Sequence, residues 1–183
     1  MEHRISSACL PLLSALLLAA CVSSNGERPS AYRPSTEARV RVYWGAVVHF
    51  HFDTTCVPRE GLLGYSGNSM VVSKPGLTSL TNKTVVMPVP TDAARYYHEY
   101  IVAADRPLTI SARISHRILR GATTYIEMPP RGAGTFTPKP GQDDEVFAEG
   151  GVGPARIRVR QLHEDANGIS TSPVTVAAAP PCP

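Results

Sequence analysis

His49 and His51 stand two residues apart, so in an extended chain both imidazoles leave the backbone on one side. There they could close on one metal ion, with Asp53 or Cys56 as a further ligand. The same spacing also fits the plain polar side of a strand. Arg156, Arg158 and Arg160 alternate with Ile157 and Val159, which places three guanidinium groups along one strand face, where they could clamp carboxylate or phosphate groups. Arg113, His116, Arg117 and Arg120 make a second basic cluster. Against these stand Asp143, Asp144, Glu145, Glu164 and Asp165, enough carboxylates to read both clusters as solvated, balanced faces. Gly64-Tyr-Ser-Gly-Asn68 lacks the closing glycine of a nucleophile elbow and lies in a loop-like context. The sequence holds no HExxH pair, no phosphate-cradling glycine loop and no dinucleotide fingerprint, so no cofactor is expected.

The elements that must position these residues read as strands. From Arg39 the chain alternates, with Val40, Val42, Trp44, Ala46, Val48, Phe50 and Phe52 on one face and Arg39, Arg41, Tyr43, Val47, His49 and His51 on the other. Gly45 marks a bulge or bend in so long a run. Further strands are expected at 69–73, 84–87, 96–103, 108–114, 123–128, 144–148, 156–162 and 173–177, although 96–104 also suits a short helix. Lys74-Pro-Gly, 104–107, Pro129-Pro-Arg-Gly-Ala-Gly134 and Pro138-Lys-Pro-Gly141 punctuate them, and Asn167-Gly168 signals a hairpin. Seventeen prolines and fourteen glycines in 183 residues favour short strands joined by turns over long helices. These features predict one all-β domain over 39–183, an antiparallel β-sandwich, Ig-like or a partly closed barrel. The formal charge of +3 falls short of the concentrated basic stripe of a nucleic-acid binder.

Ahead of the domain, residues 5–20 form an apolar run of signal-peptide length, diluted by Ser6, Ser7, Pro11 and Ser14 and short for a membrane span. It closes on Leu18-Ala-Ala-Cys21. There the chain resembles the bacterial lipobox lipoproteins cut by signal peptidase II. That resemblance implies removal of 1–20, lipidation of Cys21 and, with Val22 where inner-membrane lipoproteins commonly carry Asp, an outer-membrane, lipid-anchored location on the periplasmic face. Two or three acyl chains hold a protein firmly where one holds it marginally. Residues 21–38, polar and with two prolines, read as a flexible tether. The segments 96–110 and 135–141 give the domain the look of small β-rich lipoproteins of Proteobacteria, a resemblance that carries no catalytic residue.

The lipoprotein resemblance also sets the cysteine count. Cys9 leaves with the signal and Cys21 takes lipid, so Cys56 and Cys182 remain in an oxidising compartment. A Cys56–Cys182 disulfide is the expected outcome, closing a loop of about 127 residues. A metal site with His49 or His51 and a reactive thiol are the alternatives. The expected role is a non-enzymatic structural or interaction module that meets the membrane through its anchor and an envelope protein or anionic polymer through a face. A metal- or ligand-binding lipoprotein and an envelope hydrolase are the rival readings.

Overall fold

The computed structural model describes residues 31–62, 64–65, 67–76, 81–150 and 153–183. Cys21, the segments read as signal and as tether up to residue 30, and Ser66 of the glycine-rich segment lie outside them. Residues 32–183 form one compact unit.

The alternating run from Arg39 is broken at its middle into two strands that belong to different sheets. Strand β1 (Glu37–Tyr43) and strand β2 (Val47–Phe52) meet at a corner, where Gly45 takes a φ of +125° that disfavours any side chain. The alternation survives the corner. Val40 and Val42 point inward from the first sheet, and Val48 and Phe50 point inward from the second. Trp44, expected on the inner face, sits on the corner itself and is 45% exposed. The domain also starts earlier than Arg39: Glu37 and Ala38, read as tether, open β1, and Ala38 is fully buried.

The first sheet has the order β13-β12-β11-β1-β6, with β6 at Tyr97–Ala103, β11 at Asp143–Glu149, β12 at Arg156–Asp165 and β13 at Gly168–Val174. All its pairs are antiparallel except β1 with β11, which run parallel, so the sandwich is not purely antiparallel. The second sheet is β14-β10-β7-β2-β5, antiparallel throughout, with β5 at Ser69–Ser73, β7 at Leu108–Arg113, β10 at Gly132–Phe136 and β14 at Ala177–Ala178. Val146, Val159, Tyr100 and Val102 from the first sheet join Val72, Leu108, Ile110, Ala112 and Phe136 from the second in one core. The sheets do not close into a barrel. Two hairpins stand apart: β3 (Glu60–Gly61) with β4 (Gly64–Tyr65), and β8 (His116–Arg120) with β9 (Thr123–Glu127). The 96–104 segment is strand, not helix, and Asn167-Gly168 turns the β12–β13 hairpin as expected.

Two strand assignments also differ. The stretch 132–134, read as a turn from its Gly-Ala-Gly sequence, belongs to β10; a Cβ on Gly132 would come within 1.5 Å of the Ala155 carbonyl oxygen, so the glycine serves a close backbone approach. The stretch 84–87, read as a strand from its valines, lies in no strand. Instead it wraps a buried carboxylate.

Candidate functional site

The outer face of the first sheet carries Arg39, Arg41 and Tyr43 on β1, Glu99 on β6, Asp143 and Glu145 on β11, and Arg158 and Arg160 on β12. Cross-strand register places Glu99, Arg41, Glu145 and Arg160 in one row. Arg41 donates to Glu99 Oε1 (2.6 Å) and to Glu145 Oε1 (2.8 Å), and all three side chains are inaccessible to solvent. Burial by itself opposes the Arg41 charge, but the hydrogen bonds it donates to Glu99 and Glu145 hold its pKa above the ordinary value. The Tyr43 hydroxyl also donates to Glu145.

What excludes water is the segment around Val85–Met87. The Val85 and Met87 amides both donate to Glu99 Oε2 (2.7 and 3.2 Å), Arg41 donates to the Met87 carbonyl and Arg39 to the Val86 carbonyl. Val86 pays for this wrap with a φ of +64°, a costly conformation for a β-branched residue. Arg160 closes the row, bound to Glu145 Oε2 (2.6 Å) and to both oxygens of Asp92 (2.7 and 2.8 Å).

The predicted basic face is therefore divided. Arg160 is a structural clamp, while Arg158 and Arg156 are exposed. Arg158 pairs with Glu149 at 3.0 Å, an exposed contact that leaves most of its charge available. Among the described residues Arg156 has no ion-pair partner. Together with Phe147, Thr171, Ser172 and Pro173 the arginines line a trough of about 460 Å³. The expected solvated carboxylates are also corrected: Asp143, Asp144 and Glu145 are buried. Asp143 is held by Arg39 at 2.6 Å, so it is partnered in place.

Asp144 is different. It alternates to the inner side of β11, and neither carboxylate oxygen has a partner. Burial, and secondarily the Asp143 charge, push its pKa up to about 7. A raised folded-state pKa means the native state binds this proton more tightly than the unfolded chain. The stabilisation is complete below about pH 4 and is lost as the pH rises toward 7. Asp144→Asn is expected to gain stability on the parent between pH 4 and 8, by as much as about 4 kcal/mol, in paired urea titrations. A parent–variant difference that does not change with pH would contradict it.

His49 and His51 lie on the outer face of the second sheet, their rings parallel with centroids 6.2 Å apart. Both meet the Tyr65 ring edge to face. His51 is fully buried, its Nδ1 at 2.8 Å from Ser69 Oγ and its Nε2 at 2.9 Å from Ser111 Oγ. Burial, and then the His49 and Arg131 charges, lower its pKa to about 4 and keep it neutral. Asp53 pairs with Arg106 (2.6 Å), and Cys56 sits at disulfide distance from Cys182, with Sγ–Sγ 1.98 Å and Cα–Cα 5.0 Å. His51, Asp53 and Cys56 are thus each held by other partners, and the described residues contain no group of three His, Cys, Asp or Glu able to hold a metal ion. A pocket of about 270 Å³ lies beside them, lined by Arg59, Glu60, Tyr65, Ser111, Arg131 and the C-terminal Pro181. Arg131 spans it, paired with Glu60 and stacked on Tyr65.

The class defined here is a two-sheet, disulfide-linked β-sandwich with a buried ion row. No protein-family model, curated protein or solved structure matches the chain.

Proposed function

We propose that this chain is a lipid-anchored cell-envelope protein that works by binding rather than catalysis, with the Arg156–Arg158 trough as the site for an anionic envelope polymer. The carrying observation is that these two guanidinium groups stand exposed in the trough. His51, Cys56 and Glu145 are instead tied into internal bonds. Arg156 and Arg158 alternate along β12, so their charges repeat at roughly 6.6 Å, a spacing suited to an extended chain bearing regular carboxylates or phosphates. The anchor rests on Leu18-Ala-Ala-Cys21, and Val22 supports the outer membrane.

One study tests both halves. Incorporation of labelled fatty acid and co-fractionation with outer-membrane markers should both be lost in Cys21→Ala. Polygalacturonate should bind the mature protein in a salt-dependent manner, neutral dextran should not, and Arg156→Ala/Arg158→Ala should weaken binding about tenfold or more. Unlabelled parent protein would overturn the anchor. Equal binding by parent and double variant would overturn the trough.

A further inference from the structure

The β8–β9 hairpin belongs to neither main sheet. Every residue of β9 is exposed, and within ten residues the hairpin and its exit present Leu119 (76% exposed), Tyr125 (53%), Ile126 (66%) and Met128 (65%). Cross-strand pairs share a face, so the pairing of Leu119 with Thr124 puts Leu119 and Ile126 on one side, and Tyr125 lies on the other. Apolar residues thus project from both faces. A groove on a protein covers one face of a hairpin, whereas an interfacial lipid layer surrounds both. An isolated two-stranded hairpin is also marginally stable in water.

From these observations we infer that the β8–β9 hairpin is a second membrane contact, dipping into the headgroup region of an anionic bilayer; this rests on the envelope reading above but not on the anchor itself. The charge of the sequence fits: β8 (His-Arg-Ile-Leu-Arg) carries two arginines and a histidine, whereas β9 carries one acidic residue, Glu127. Pairing with a second copy would instead bring like charges together. Apolar and aromatic residues flanked by arginine are the composition of interfacial elements, and anionic headgroups add attraction for each cation.

Residues 32–183 make a compact unit with its own core, so a chain of residues 22–183, free of signal and lipid, isolates the hairpin's contribution. It should float with vesicles of phosphatidylethanolamine and phosphatidylglycerol, and less with phosphatidylcholine alone. Tyr125→Ser/Ile126→Ser should lower partitioning about tenfold or more with an unchanged unfolding midpoint, because neither side chain enters the core. Three results would overturn the inference: no flotation of the parent, equal flotation of the variant, or a concentration-dependent dimer that the variant abolishes, which would assign the hairpin to self-contact. Fatty-acid labelling of Cys21 is read separately, so failure of the hairpin and failure of the anchor are distinguishable.

Discussion

Arg41→Met is expected to cost about 3–5 kcal/mol of stability near neutral pH, because it leaves the Glu99 carboxylate buried without a cation and removes one of the two cations that hold Glu145. Arg41→Lys keeps the charge but not the fork that reaches both carboxylates and the Met87 carbonyl, and should fall between parent and Arg41→Met. Urea unfolding at pH 8 measures both effects. Hydrogen exchange should show the Val85 and Met87 amides opening first, since Glu99 is their acceptor. A loss below about 1 kcal/mol at pH 8 would mean that the row is solvated after all.

Removal of the disulfide, by Cys56→Ala/Cys182→Ala, is expected to cost about 2–5 kcal/mol. The bridge joins residues separated by 126 positions, and cross-linking a long loop removes much conformational freedom from the unfolded chain. Its native-state effect is local. The tail is otherwise held by the Val57 amide donating to the Pro180 carbonyl (2.8 Å), the Cys182 amide donating to the Val57 carbonyl (2.9 Å), and the short β14 on Gly134 and Thr135. The variant should therefore expose the chain from Ala177 onward to carboxypeptidase before the domain unfolds. It should also open the pocket wall formed by Val57, Ala179 and Pro181. An unchanged denaturation midpoint together with an intact C-terminus would refute the expectation.

Local patterning in the sequence determined the all-β class, most strand positions, the hairpin at Asn167-Gly168 and the inward faces of β1 and β2, because alternation and turn chemistry act over a few residues. The Cys56–Cys182 pairing was reachable once Cys9 and Cys21 were set aside. Tertiary structure alone decided which polar residues meet water. Arg41 and His51 alternate with the core like ordinary solvent-facing residues, yet both are fully buried because segments distant in sequence cover the outer faces of the two sheets. Residues 85–87 read as strand because valine favours strands, but the Glu99 carboxylate draws two of their amides and Arg39 takes the Val86 carbonyl. Gly132 and Gly134 read as a turn because glycine is permissive, and they are strand because Ala155 and Val176 leave no room for a side chain. The arginine row on β12 was visible as a row. That Arg160 is spent on Glu145 and Asp92 while Arg156 and Arg158 remain at the surface depends on partners 15 and 68 residues away for Arg160, a pairing no local spacing encodes.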